Sequence, residues 1–363
     1  MPIPAQRDLE TTRTVLRDWI APKLAAQSDS PVTDVAISQL DAPSGSGFSN
    51  ETFLADITWK ADGTEMADSV VVRIEPSGYR VFMEADFALQ YRMLDTLDKQ
   101  TDVTVPHMLW FEDDPSVLGA RFFLMRKVRG SAPADVPSYN DAGFLFDSTP
   151  EVRHQLWENA IDAMIAVHKV PLETVKFLDK PELGATGFEQ IFEYWRRSYE
   201  WAARGKPQPV ADAAWAWLNA NMPTHRPTAL SWGDARLGNI LFDGVEVTAV
   251  VDWEMLSLGG PSMDLGWWIF LMDYQEMGRD HLEGLGSEEE TVARWEAATG
   301  QQVHDLHWYK VFAGFRFAIV MMRIIQMYDE WGVIPQGGES DPETDNPVTR
   351  LLAQLLGIDP FPG

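Results

Sequence analysis

Hydrophobic and polar residues alternate from about Phe48 to Trp59, the period of two expected for a half-buried strand. Asp62-Gly63 follows as a hairpin turn signal, and Ser69-Val70-Val71-Val72-Arg73-Ile74 reads as a second strand. The period then lengthens. Between Phe82 and Leu97, the residues Phe87, Tyr91, Leu94 and Leu97 recur at helical spacing. Strand character returns at His107 to Phe111 and at Arg121 to Val128, joined through Asp113-Asp114-Pro115. After a short helical opening, this order predicts a small sheet with one helix packed on it.

Beyond Gly130 the pattern is mostly helical. Leu156, Ala160, Ala163, Met164 and Val167 form one stripe of a helix over Glu151 to His168, which Pro171 ends. Phe188 to Ala203, Ala211 to Asn221 and His307 to Trp331 are further helices. One interruption stands out: Ile240-Leu241-Phe242, then Asp243-Gly244, then Val245 to Val251, a hairpin signal inside a helical region. Binding chemistry at its ends would account for it. Gln336 to Asn346, rich in Gly, Pro, Asp and Glu, reads as an exposed loop. The boundary falls near Arg129 to Ser131, giving domains of residues 1–129 and 130–363.

Composition narrows the function classes. A chain of 363 residues, 45% of them hydrophobic, can bury a large core. It has no cysteine, which excludes disulfides and thiolate metal sites and fits a reducing cytoplasm. The most apolar late stretch, Val311 to Met327, is broken by Arg316 and Arg323, and the start carries charges throughout, so a soluble intracellular protein is expected. The net charge of −26 disfavours nucleic-acid partners.

The chemistry concentrates in Trp232-Gly233-Asp234-Ala235-Arg236-Leu237-Gly238-Asn239 and the hairpin after it. Asp234 and Asn239 are five positions apart, and Asp252 follows the second hairpin strand, so Asn239 and Asp252 meet at the open end. One oxygen from each suits Mg2+, which takes few protein ligands and completes its shell with water and phosphates. Asp234 can then receive the proton of an incoming hydroxyl, as in the Asp-x-x-x-x-Asn pattern of protein kinases. Arg236, two residues on, can clamp phosphate oxygens or serve as an ordinary surface cation.

These motifs resemble the aminoglycoside phosphotransferase and choline kinase group, in particular the branch whose kinase domains are fused to acyl-CoA dehydrogenases. The family pattern is His-Gly-Asp-x-x-x-x-Asn, an Asp after the hairpin, then Gly-Asp-Pro-x-x-Asp-Leu. Here the chain has Trp232-Gly233-Asp234, Asn239, Val251-Asp252-Trp253-Glu254 and Gly259-Gly260-Pro261-Ser262-Met263-Asp264-Leu265. The resemblance implies an α+β, protein-kinase-like two-lobed fold: a small antiparallel sheet with one helix, then a larger helical lobe holding the catalytic hairpin. It implies Asp234 as catalytic base, Asn239 and Asp252 as metal ligands, and Asp264 as a structural anchor of the loop. Trp232 stands in place of the usual His and Gly260 in place of the usual Asp, departures that leave a nucleotide-binding protein without transfer activity as the alternative.

On the nucleotide side, Ser44-Gly45-Ser46-Gly47-Phe48-Ser49-Asn50 has the small residues that let backbone N–H groups approach phosphates. Followed by Glu51-Thr52-Phe53, it resembles the family's Ser-Asn-x-Thr phosphate loop, with Ser46, Gly47, Phe48, Ser49 and Asn50 as contacts. Arg73 stands where a kinase places its phosphate-facing Lys, with Glu84 or Gln90 as its partner. Met125 to Val128 would present backbone groups to an adenine edge. Glu254 is a candidate contact to substrate or metal. The expected cofactors are ATP, or another nucleoside triphosphate, and Mg2+; the expected partner is a small hydroxylated molecule, with neither nucleic acid nor membrane.

Overall fold

The computed structural model describes residues 7–42, 51–76, 78–84, 86–333 and 341–359, and the chain divides into two compact units. The first takes in Met1–Val81, Asp86–Asp95 and Pro106–Val128; the second takes in Phe82–Ala85, Thr96–Val105 and Arg129–Gly363.

In the first unit, helix α1 (Leu9–Gln27) precedes strands β1 (Val32–Ile37), β2 (Glu51–Ala61) and β3 (Thr64–Ile74), helix α2 (Phe87–Gln100) begins here, and β4 (Met108–Glu112) and β5 (Phe122–Arg126) follow. The sheet is antiparallel in the order β1-β2-β3-β5-β4. Asp62 and Gly63 both have positive φ, 49° and 74°, the geometry of a tight two-residue hairpin turn. Alternation then sorts the side chains: Phe122 turns to one face, 4.7 Å from Trp19 of α1, and Phe123 to the other, 5.0 Å from Phe87 of α2. Leu16 and Ile20 of α1 join Ile57, Val70, Val72, Ile74 and Leu124 in the core of the first face. The sheet thus carries a helix on each face rather than one. Edge strand β1 escapes the sequence pattern because only Ile37 of its six residues is buried, and its register shifts between Thr33 and Ala36.

The second unit holds α3 (Phe144–Asp147), α4 (Pro150–His168), α5 (Gly187–Ala203), α6 (Pro209–Ala220), the hairpin β6 (Ile240–Asp243) and β7 (Glu246–Val250), then α7 (Pro261–Glu276), α8 (Glu288–Thr299), α9 (Leu306–Glu330) and α10 (Pro347–Leu356). Capping boxes start α5 (Thr186 with Glu189) and α8 (Ser287 with Glu290). Helix α7 is absent from the sequence reading for a physical reason. Every residue from Pro261 to Met272 is buried, so no polar face marks a period of 3.6. A Cβ on Gly266 would lie 2.6 Å from the Tyr309 backbone, so the glycine permits close approach of α7 and α9. Helix α9 is long and apolar enough to cross a bilayer, but it lies mostly buried, with Arg316 and Arg323 among its buried residues.

Candidate active site

The hairpin register pairs Ile240 with Val250, and one step further the Val251 N–H donates to the Asn239 carbonyl at 3.0 Å. Asn239 and Asp252 are therefore neighbours across the open end. Asp252 adopts φ +61°, a left-handed conformation that costs a non-glycine residue energy and occurs preferentially at functional positions.

Asp234 is held from three directions. Asn239 Nδ2 donates to its Oδ2 at 2.6 Å and to its carbonyl at 3.0 Å. Trp267 Nε1 of α7 donates to its Oδ1 at 2.7 Å, and Arg236 Nε lies 3.2 Å from both carboxylate oxygens. Both partners of the Asn239 amide are acceptors, so its nitrogen must face them and its Oδ1 remains the atom able to bind a cation. With Asp252 that supplies two oxygens, a set suited to a magnesium ion completed by phosphates and water. No cluster of three or more His, Cys, Asp or Glu able to hold a metal occurs among the described residues. His304 and His307 diverge, the first against His225 and the second against Trp217.

Beneath the loop, Asp264 is fully buried and accepts from the Ser231 hydroxyl (2.7 Å), the Trp232 N–H (2.7 Å) and the Gly233 N–H (2.8 Å). His168 Nε2 stands 2.9 Å from its Oδ2. The Trp295 indole, which can only donate, points at His168 Nδ1 at 2.9 Å, so Nε2 carries the proton given to Asp264. The expected anchoring by Asp264 is present, through side chain and backbone alike.

Both departures from the family pattern have a packing role. Trp232 is buried and donates from Nε1 to the carbonyls of Val251 and Asp252, tying the loop to the Asp252 turn. Gly260 has φ +86°, and a Cβ there would stand 2.6 Å from the Pro227 carbonyl oxygen, so an aspartate would not fit this backbone.

Arg236 bridges Asp234 and Asp135. Burial opposes its charge, but the two carboxylates outweigh burial and hold its pKa above the ordinary arginine value. A Cβ on Gly238 would stand 2.5 Å from Arg236 Nη1, so the glycine leaves room for the guanidinium. Glu254 is half-buried; burial pushes the Tyr194 hydroxyl up to about 12, with the Glu84 and Glu254 carboxylates adding to the rise. Glu84 also pairs with Lys180 at 3.4 Å.

In the first unit, Arg73 is half-buried on β3, opposite Thr52 and Phe123, and Gln90 is buried on α2. Met125 is buried on β5, and Val128 lies two residues beyond that strand. Ser46, Gly47, Phe48, Ser49 and Asn50 lie outside the described residues. Sequence reasoning missed Asp135, His168 and Trp267 because each finds its partner (Arg236, Asp264 and Asp234) across tens of residues; a tryptophan three places after Asp264 was the available signal for the last.

Residues 42–299 match the family described as the phosphotransferase enzyme family, more than half of the chain. The chain belongs to that family. Among curated relatives, IBR3 of Arabidopsis thaliana, named a probable acyl-CoA dehydrogenase, is 24% identical over 336 residues, which is 86% of this chain and 39% of the relative. The chain thus spans well under half of that relative's length. A candidate aminoglycoside phosphotransferase from Ralstonia eutropha has the same fold, with a TM-score of 0.69, 22% identity and coverage of 95% of this chain and 98% of that one. A thermostable variant of aminoglycoside phosphotransferase APH(4)-Ia, solved with AMP-PNP and hygromycin B, matches with a TM-score of 0.52 and 14% identity over 93% of this chain and 98% of that one. The phosphotransferase members therefore share a kinase-like α+β fold with this chain.

Proposed function

We propose that the chain transfers the terminal phosphoryl group of ATP, or another nucleoside triphosphate, to a hydroxyl of a small molecule. The observation that carries this reading is the Asp234 carboxylate, fixed by Asn239, Trp267 and Arg236 beside the left-handed Asp252 turn. Family membership and a neighbour solved with AMP-PNP support nucleotide use.

In this reading Asp234 orients the acceptor hydroxyl and takes its proton as the oxygen attacks. Its donors keep one carboxylate orientation, which is most of what a positioning base contributes. Asn239 Oδ1 and the Asp252 carboxylate would hold Mg2+, which when bound offsets phosphate charge. Arg236, cationic under all ordinary conditions, would meet phosphate oxygens and offset charge developing in transfer. Arg73 would bind phosphates, and backbone groups from Met125 to Val128 would receive the base. Glu254 would contact the acceptor or the metal. Trp232 and Gly260 serve the packing of an intact loop, which favours catalysis over a silent nucleotide-binding scaffold.

Asp234→Ala should lower turnover about 10²–10⁴-fold, the usual contribution of a general base, and Asp252→Ala should abolish Mg2+-dependent nucleotide binding. Steady-state ADP release with a panel of hydroxylated acceptors, and calorimetry with MgATP, check these; wild-type turnover in Asp234→Ala would sink the reading.

A further inference from the structure

Arg316 is an unusual residue for the middle of a core helix. It is 1% exposed on α9, and among the described residues a single hydrogen bond satisfies it, from Nη2 to the Met263 carbonyl at 3.2 Å. Its Nε is buried with no hydrogen-bond partner among the described residues. The guanidinium carbon lies 4.6 Å from the centre of the Trp267 ring, with Phe312 at 5.4 Å and Trp195 at 6.0 Å. Burial draws its pKa down to about 10, against the pull of Asp264 and Asp234. A residue serving only to fill the core would be apolar, since a buried and poorly paired charge disfavours folding.

What Arg316 touches explains its presence. Met263 and Trp267 sit one turn apart on α7, and Asp264 lies between them. Asp264 fixes the backbone of residues 231–233, whereas Trp267 fixes the carboxylate of Asp234. Gly266, in the same turn, lets the α9 backbone press close. We propose that Arg316 is a positioning residue: from α9 it grips the first turns of α7, and so sets both the loop backbone and the Asp234 carboxylate at once. Asp264 and Asp234, the two carboxylates it helps to place, both favour its charge. This inference rests on Asp234 being the catalytic carboxylate, as proposed above.

The test pairs hydrogen-exchange mass spectrometry with kinetics on the full chain. Arg316→Met removes the charge and retains length; Trp267→Phe leaves a ring under the guanidinium and removes the indole N–H. Both should speed exchange across residues 231–236 while peptides of α9 remain protected. Both should lower kcat for ADP release from MgATP about 10–100-fold with KM for MgATP within about twofold, the signature of a lost orienting interaction. The double variant should lose no more than the worse single one, because Arg316 reaches the Asp234 carboxylate through Trp267, so the two changes break successive links of one chain. Arg316→Lys, which keeps a cation over the ring, should recover part of the kcat. Wild-type loop exchange in Arg316→Met overturns the proposal. So does a kcat loss that merely tracks a lower melting temperature, with exchange raised equally through α7 and α9. Asp234→Asn run alongside separates the two readings: if it turns over normally, the phosphotransfer assignment of Asp234 fails, and loop exchange alone still decides the role of Arg316.

Discussion

Gly233 shows how narrowly one position can be set. At φ +95° its added Cβ would stand 2.1 Å from the Met255 carbonyl oxygen, so any side chain must push the loop away from the segment after Asp252. Gly233→Ala should lower turnover at least about tenfold and stability by about 2 kcal/mol, since both the conformation and the space refuse a methyl group. Turnover assays and urea unfolding check this, and unchanged values would mean that the loop shifts freely. Asp234, Asn239 and Asp252 were legible at this scale because their spacing is local: five residues in one loop, then a hairpin that returns to its start. Trp267 was not. It reaches Asp234 across 33 positions, and only the packing of α7 brings it there.

Elements were legible where one face is wet. The alternation of β2 and the stripe of α4 follow from burial on one side, and both lie within a few residues of the expected bounds. On α5 the exposed face carries Glu193, which pairs with Arg196 and Arg197 at 2.7 Å. Hydrogen bonding from Arg196 holds the Glu193 carboxyl at about 2, below its ordinary 4.5, against slight burial and with Arg197 assisting. A depressed folded-state value stabilises above the unfolded value, and that stabilisation fades as pH falls from about 4.5 towards 2. Because solvent still reaches and screens the half-buried pair, Glu193→Gln should cost under about 1 kcal/mol at pH 7. Chemical unfolding should show the gap to wild type closing as pH drops through that window; a constant gap would assign the effect to packing instead. Helix α7 has no wet face over its first three turns, so no periodicity announced it.

For the whole molecule, charge is the property that composition sets. With 55 acidic against 29 basic side chains, the net charge is −26, and like charges repel within any compact arrangement. Raising ionic strength from about 0.01 to 0.1 M shortens the screening length from roughly 30 to 10 Å. The melting temperature should rise by a few degrees over that range, as read by scanning fluorimetry with NaCl; a flat or falling trend would show that ion pairs such as Arg121–Glu75 outweigh the repulsion.

Taken alone, the sequence determined the succession of a strand-rich first part and a helical second part, the hairpin between helices, and the three polar residues at its ends. Those signals are short-range: a period of two or 3.6, a turn that needs positive φ, a spacing within one loop. Only the tertiary structure decided that α1 covers the second sheet face, that Asp264 and His168 bear the loop, that glycine is required at position 260, and that Arg316 lies under Trp267. These contacts join residues tens of positions apart: apolar burial places α1, close backbone approach requires Gly260, and Asp264, His168 and Arg316 are buried polar groups that find partners in the space packing leaves them. A linear pattern can name such residues but cannot pair them.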